Sequence, residues 1–380
     1  MCDYGSSTQA KDWIFTPSDL HVCRQRANYE ARKYLIDNPD FDPFGSNHNS
    51  STPFFTFACG FKSRREIGNE GIMPLGNEIV SANGNPFLEP EEEELLVAFY
   101  AAKISSLVGP LAQNQYLRRE VKVTATAAMI FRRFFLSNSV MLYDPKHILV
   151  AAAFLATKVE DCMTQVHHLE EGTKLMNAPV VQSEILRAEY VLLGGINCDL
   201  LCFHPYKAVL ALTEDLRTFL KTSNGSLLVT FRNGEIRPII GQDLSPIHNA
   251  ARSLVDDVIV SDIPLLYSPG QIGLAALMVA NDQISNTDVP KIDFLGYIES
   301  RFEDQNYKAV QRRVIELCEM LKDLKEGKYG CGNHKVDLQT LKGVHKKLKK
   351  CRGGEKKKKK RKLDDLNEGT DPESKSKQSK

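Results

Sequence analysis

The residues whose types most readily suggest chemistry are a loose group of cysteines and one histidine in the middle of the chain. Cys198, Cys202 and His204 are of the types that bind zinc. A zinc site needs four convergent ligands, usually including a tight cysteine pair, and the sequence shows no second cluster of this kind. We therefore interpret these cysteines as core residues and predict no metal site and no cofactor. The doublet His167-His168 is predicted to lie on the surface, because adjacent helical residues do not face one site.

Motifs for phosphate binding and catalysis do not occur in the sequence. There is no Gly-x-x-x-x-Gly-Lys segment, and no Gly-x-Gly-x-x-Gly segment follows a strand pattern. Protein kinase motifs and a nucleophile elbow around a serine or cysteine are also missing. The sequence therefore favours a protein that is not an enzyme.

Charge and cysteine usage narrow the class of protein further. The 380 residues carry a formal net charge of +1 and include nine cysteines. The balanced charge argues against a chain that binds polyanions over its whole surface. An odd cysteine count without close pairing argues against a disulfide framework and indicates a reducing, intracellular compartment. No secretory signal is visible, and no apolar run reaches about 18 residues, so we expect no membrane span.

Lysine is concentrated near the C-terminus. One dense cationic run consists of Lys356, Lys357, Lys358, Lys359, Lys360, Arg361 and Lys362. Three interpretations remain open: a nuclear import signal, which we favour, a solvating tail, or nonspecific contact with nucleic acid or an acidic protein. We predict a disordered Lys-rich tail over 353–380 and a nuclear location for the protein.

Helix start signals and changes in composition divide the rest of the chain. Thr16, Pro17 and Asp19 are typical of a capped helix start, and Arg24, Arg26, Arg32 and Lys33 predict a basic face open to an acidic partner. The predicted segments are an N-terminal segment and helix over 1–35, a partly disordered insertion over 36–88, helical domains over 89–200 and 203–325, and a basic C-terminal helix over 326–352. A polar loop is predicted near 222–243, within the second domain.

An internal repeat supports the two helical domains. When the chain is shifted by about 124 residues, Tyr143-Asp144-Pro145 coincides with Tyr267-Ser268-Pro269, and Ala151-Ala152 coincides with Ala275-Ala276. In each half, a capped proline start therefore leads into a helix of small residues. Alanine allows neighbouring helices to approach a central helix closely, so we predict two similar helical bundles, each built around such a helix.

Several segments give the chain a resemblance to the cyclin family, and to its H-type members in particular. These segments are Lys11 to Phe15, Phe131 to Met141, Phe154 to Asp161, Cys202 to Tyr206 and Leu266 to Ile272. Most of 10–325 is covered, while the insertion and the basic tail fit less well. The resemblance implies an all-α fold of two tandem five-helix cyclin repeats, flanked by N- and C-terminal helices.

The resemblance also implies which residues bind a partner. In cyclins, a lysine that ends the third helix of the first repeat and a glutamate on the fifth helix grip the kinase, and these match Lys158 and Glu189. The position equivalent to Lys158 in the second half is Asp282, so the kinase is expected on the first repeat. Many cell-cycle cyclins pair an arginine of the first helix with an aspartate of the second. Because Arg132 stands at the aspartate position, we expect no such internal ion pair here.

By the same resemblance, the chain is a regulatory subunit that catalyses nothing itself. The implied partners are a cyclin-dependent kinase (the catalytic subunit of the CDK-activating kinase), a RING-finger assembly factor and the TFIIH core. The complex would phosphorylate other cyclin-dependent kinases and the C-terminal repeats of RNA polymerase II. No membrane and no sequence-specific nucleic acid is expected as a partner. Two alternatives remain: another transcription-type cyclin, or a TFIIB-like promoter-binding protein, which would require an N-terminal zinc ribbon and basic repeat faces.

Overall fold

The fold is described from a computed structural model, which describes residues 3–38, 84, 86–301, 307–327 and 337–352. The chain begins with α1 (Thr8–Asp12) and α2 (Pro17–Asp37). The first bundle contains α3 (Pro90–Leu107), α4 (Val121–Ser137), α5 (Pro145–Val159), α6 (Val166–Leu175) and α7 (Gln182–Gly195). The second contains α8 (Pro205–Phe219), α9 (Ser223–Ser226), α10 (Ser245–Val258), α11 (Ile263–Leu266), α12 (Pro269–Gln283), α13 (Phe294–Arg301) and α14 (Tyr307–Lys325). The last described helix is α15 (Leu338–Cys351). The prediction of an all-α fold with two tandem helical repeats is therefore confirmed.

The N-terminal helix begins where the sequence signals predict. The Thr16 hydroxyl accepts a hydrogen bond from the Asp19 amide, and the Asp19 carboxylate accepts one from the Thr16 amide, which forms a capping box. Just before this start, the Trp13 indole donates to Asp199, and the Phe15 amide donates to the Leu265 carbonyl. The N-terminal segment is thus fastened both to the linker after the first bundle and to the second bundle.

The internal repeat is visible in the bounds of the helices. Shifted by 124 residues, α5 coincides with α12 at both ends, and the first residue of α4 coincides with that of α10. Each central helix starts with proline after a capping side chain, Asp144 for α5 and Ser268 for α12.

The central helices are surrounded by the other helices of their bundles. Helix α5 packs against α3, α4 and α7, and α12 packs against α8, α10 and α14. Ala151 and Ala152 in α5 and Ala275 and Ala276 in α12 are completely buried. Their small side chains let the surrounding backbones approach, so each bundle is built around a helix with almost no polar face.

The region predicted as a polar loop near 222–243 contains more structure than expected. It includes the short helix α9 and the strand β1 (Val229–Phe231), which pairs antiparallel with β2 (Pro290–Ile292). The register places Val229 opposite Ile292 and Phe231 opposite Pro290. The loop prediction is wrong for these residues, because the backbone groups of Val229–Phe231 find partners more than fifty residues away along the chain.

The C-terminal helix α15 packs against α3 through a stripe formed by Leu341, Val344, Leu348 and Cys351. It covers the later part of the predicted basic helix, while 328–336 lie outside the described residues. Most of the predicted insertion and the whole tail from 353, including the candidate import signal, also lie outside them. Phe87 and Leu88, at the end of the predicted insertion, are buried. Among the described helices, none is both long and apolar enough to cross a membrane.

Candidate functional site

The candidate site begins at the C-terminal end of the buried helix α5, where the chain turns sharply. The Glu160 amide caps the helix by donating to the Ala156 carbonyl, and the Cys162 amide donates back to the Thr157 carbonyl. Asp161 between them adopts a left-handed conformation with a φ of 54°. Lys158 occupies the last helical turn, where its positive charge is favoured by the helix dipole.

Lys158 forms an ion pair with Glu189 on α7. The Nζ atom of Lys158 lies 2.6 Å from Oε1 of Glu189, and 4.0 Å from the centre of the Phe154 ring. The Lys158 side chain is 35% exposed, whereas that of Glu189 is only 11% exposed. The structure therefore brings together the two residues that the resemblance singled out. The pair lies at the edge of the first bundle, where a partner can still reach the ammonium group.

Apolar side chains next to Glu189 extend the site along α7. Leu186 is 43% exposed and Tyr190 is 64% exposed, although the other apolar residues of this helix are buried or, for Leu193, partly buried. A spacing of four residues places them on one face, with Glu189 beside them. The sequence analysis missed these two residues. Their spacing on the exposed side of a predicted amphipathic helix was the available signal.

Glu160 is close to Lys158 in sequence, but its side chain turns toward a different group. Its carboxylate accepts a hydrogen bond of 2.5 Å from the Thr126 hydroxyl and lies 3.6 Å from Nε2 of His204 and 3.8 Å from Nζ of Lys122. The contact with His204 is the main reason why the pKa of Glu160 lies below its ordinary value. Glu160 thereby connects the end of α5 to His204, the residue that precedes α8. Lys158 pairs with Glu189 instead.

The cysteine and histidine group shows no convergence. His204 contacts Thr126 and Glu160, Cys198 is exposed, and Cys202 is half-buried. Over the described part of the chain, no group of three or more potential ligands of these types is placed to hold a metal ion. The interpretation of Cys198 as a core residue is wrong, because it lies in an exposed turn with a φ of 56°.

The first two helices of the first bundle are joined by an ion pair that the sequence analysis did not foresee. Nη1 of Arg132 on α4 lies 3.2 Å from Oε1 of Glu94 on α3 and also pairs with Asp262, just before α11. Arg24 on α2 lies 2.8 Å from Glu94 and 2.6 Å from Asp262. Although burial opposes ionisation, Arg132 and Arg24 hold the pKa of Asp262 below its ordinary value. The pair has the reverse order of that in many cell-cycle cyclins, with the acid on the first helix.

This network removes Arg24 and Arg32 from the predicted basic face of α2. Arg24 pairs with Glu94 and Asp262, and Arg32 pairs with Glu89 and donates to the Leu88 carbonyl. Both guanidinium groups therefore bind residues of the bundles, so they are not available to an acidic partner.

Comparisons with known proteins agree with the repeat architecture. The cyclin N-terminal domain family matches residues 111–201, and the cyclin C-terminal domain family matches residues 204–353. The chain is 27% identical over 358 residues to Cyclin-H1-1 of Arabidopsis thaliana, covering 93% of this chain and 90% of the relative. It is 27% identical over 281 residues to Cyclin CCL1 of Saccharomyces cerevisiae, covering 74% of this chain and 58% of the longer relative.

A solved structure shares the fold over almost the whole length. A chain of the CAK complex from Chaetomium thermophilum, bound to ATP-γ-S, superposes with a TM-score of 0.64 at 22% sequence identity and covers 98% of both chains. Two tandem helical bundles with two matching domain families define the class: the chain belongs to the cyclin family. Within that family it is a cyclin H-like regulatory subunit.

Proposed function

We propose that the chain binds and activates a cyclin-dependent kinase through Lys158 and Glu189 of its first repeat. The observation that carries this proposal is the partly exposed ion pair at the end of a buried helix, with the exposed Leu186 and Tyr190 beside it. Protein interfaces commonly combine buried aromatic or aliphatic anchors with a few oriented charge-assisted hydrogen bonds. This surface offers both kinds of contact within two adjacent helices.

The two charged side chains can bind complementary backbone groups of a kinase. Lys158 has three N–H donors, of which Glu189 needs one, so two can reach carbonyl oxygens of the partner. The Oε2 atom of Glu189 can accept from a partner amide. By the family resemblance, these contacts lie near the mobile helix and the activation segment of the kinase. Contacts that form only with the active arrangement shift the kinase population toward it.

We further propose that the kinase is the catalytic subunit of a CDK-activating kinase. A RING-finger assembly factor would complete the complex, which would join the TFIIH core. The names of the H-type relative and of the CAK complex support this assignment. The kinase would act on other cyclin-dependent kinases and on the C-terminal repeats of RNA polymerase II, while this chain contributes no catalytic group. The predicted segment bounds, 89–200 and 203–325 for the two repeats, belong to the same proposal.

Reconstitution with candidate kinases, assayed on a polymerase tail peptide, tests the proposed function. The double variant Lys158→Ala with Glu189→Ala should weaken kinase activation while the thermal unfolding curve stays that of a folded protein. The matched control is Asp282→Ala with Lys322→Ala, because these charges lie 3.9 Å apart at the equivalent end of α12. Unchanged activation in the first variant, or an equal loss in the control, would refute the assigned site.

The identity of the kinase is tested separately by capturing the chain from nuclear extract and identifying the bound kinase. Recovery of a kinase other than the CDK-activating kinase would support another transcription-type cyclin instead. The nuclear location depends on the proposed import signal, Lys356 to Lys362. Deleting residues 355–380 should reduce nuclear accumulation and leave kinase activation intact, and a fully nuclear truncated protein would remove the import role.

A further inference from the structure

The outer face of α15 carries lysines that the proposed kinase-binding site does not use. Lys342, Lys346 and Lys349 are exposed, and they follow one another at intervals of four and three residues. This spacing places them on one face of the helix, over about 10 Å of its length. Lys350 lies at the edge of the same face and is partly exposed. Among the described residues, no acidic side chain forms an ion pair with any of these four lysines.

The orientation of this face is fixed by contacts on the opposite side of α15. The apolar stripe of the helix is buried, Nζ of Lys347 lies 2.6 Å from Oε2 of Glu92, and Nε of Arg352 donates to the Met141 carbonyl at 3.1 Å. His345 packs against the ring of Tyr100 on α3, with 5.9 Å between ring centres. Lys347 and Arg352 thus bind the first bundle. Lys342, Lys346 and Lys349 lie on the opposite side of the helix and point away from the bundle.

From this arrangement we propose that Lys342, Lys346 and Lys349 bind the phosphate backbone of duplex DNA without regard to base sequence. Protein–protein interfaces are depleted of lysine and rich in aromatic anchors, whereas protein–DNA interfaces are strongly cationic. Apart from the exposed Leu338 at the start of the helix, this face carries lysine and no apolar side chain. It also has no exposed aromatic ring on which single-stranded bases could stack, which favours a duplex over a single strand.

Sequence-independent binding follows from the same side chains. Reading base edges requires side chains such as arginine, asparagine or glutamine that enter a groove in a fixed geometry. Lysine offers a compact charge on a flexible stem, which suits phosphate oxygens along a backbone. Gly343, which directly follows Lys342, is exposed and adds no side chain, and a Cβ placed there would meet no atom within 4 Å. This surface could hold the complex near DNA and does not depend on the proposed kinase contacts.

Fluorescence anisotropy of a labelled 20-base-pair duplex with the full-length chain tests the proposal. Changing Lys342, Lys346 and Lys349 to glutamine should weaken binding at least tenfold at low salt. The slope of log K against log salt concentration should fall by about 3, since each lost phosphate contact lowers it by roughly 1. The matched control changes three exposed lysines of the second repeat, Lys207, Lys221 and Lys291, to glutamine. It should stay within twofold of the unaltered chain, although its net charge changes equally.

Two further arms separate this site from general charge effects and from other ligands. The triple variant Lys342→Arg, Lys346→Arg and Lys349→Arg keeps the charge and should bind duplex DNA within twofold of the unaltered chain. A duplex RNA and a glutamate peptide of equal charge should compete more weakly than duplex DNA. The assignment would be overturned if the glutamine variant and its control lost DNA affinity equally, or if the arginine variant bound DNA as weakly as the glutamine variant. Stronger competition by RNA or by the peptide than by duplex DNA would overturn it as well.

Discussion

The two central helices, α5 and α12, have the same length and are both rich in small residues, but they end in opposite charges. In the first repeat, Lys158 lies 2.6 Å from the nearly buried Glu189 of α7. In the second repeat, Asp282 and Lys322 of α14 are about half exposed and 3.9 Å apart. Both ends support a folded bundle, so the fold does not require the charge that ends the helix. The Lys158–Glu189 pair of the first repeat is partly buried, whereas the Asp282–Lys322 pair of the second is not. A charge-assisted hydrogen bond is stronger when it is shielded from water.

A second difference lies in the contact between α3 and α4 in the first repeat and between α8 and α10 in the second. Shifted by 124 residues, Arg132 of α4 coincides with Asp256 of α10. Arg132 is almost fully buried and pairs with Glu94 on α3, whereas Asp256 is exposed and accepts a hydrogen bond of 2.6 Å from the Tyr206 hydroxyl on α8. The same position thus links the first helix of each repeat to the helix that carries it, α3 to α4 and α8 to α10. In the first repeat, the link is a buried ionic network that also includes the N-terminal helix and Asp262 of the second repeat.

The largest expected effect distinguishes these two links. Arg132→Ala should lower the free energy of unfolding by about 4 kcal/mol, because it leaves Glu94 and Asp262 with one cation fewer in a buried setting. Asp256→Ala should cost about 1 kcal/mol or less, since it removes one exposed hydrogen bond. Urea unfolding measures both values. Similar losses in the two variants would show that the ionic network adds nothing beyond an ordinary link between helices.

The next effect concerns the charge order at the ends of the central helices. Lys158→Glu combined with Glu189→Lys gives the first repeat the charge order of the second while keeping an ion pair. If the proposed function is correct, kinase activation should fall roughly a hundredfold, or about 3 kcal/mol, since partner carbonyls and amides would face the wrong charges. The swap Asp282→Lys with Lys322→Asp should leave activation unchanged. Retained activity in the first swap would mean that the pair acts only within the bundle.

A smaller effect is a dependence of stability on pH that arises in the first repeat. Glu93, the fourth residue of α3, is buried and accepts hydrogen bonds from Ser139, Asn28 and the Val140 amide. Burial raises its pKa to about 7 despite these bonds. Ala208 is the fourth residue of α8, so the second repeat has no ionisable group at this position.

Because the folded state holds this proton more tightly than the unfolded state, stability falls as the pH rises from about 4.5 through 7. The contribution of Glu93 to this fall is about 3 kcal/mol at most. Glu93→Gln removes the ionisation, so its free energy of unfolding should decline less between pH 5 and pH 8 than that of the unaltered chain. Urea unfolding at both pH values measures the difference. Parallel declines would show that the Glu93 carboxyl does not titrate in this range.

Local signals predicted the helices best where start signals and composition agreed. The Thr16 cap, the proline starts of α5 and α12 and the alanine-rich central helices are all found where the sequence placed them. The polar stretch near β1 was misjudged because its strand partner lies far along the chain, beyond the reach of a local pattern. The resemblance selected Lys158 and Glu189, whereas periodicity alone gave no reason to single them out.

By itself, the sequence determined the class of fold, the duplication and the charge at the end of each central helix. These features follow from residue spacing, capping and composition, which act over a few turns of chain. Only the tertiary structure decided where the charges of α2 and α4 go. Arg24 and Arg132 meet Glu94 and Asp262 because three helices and the start of α11 converge there. A buried cation requires an anion, and only packing determines which distant anion is near enough to bind it.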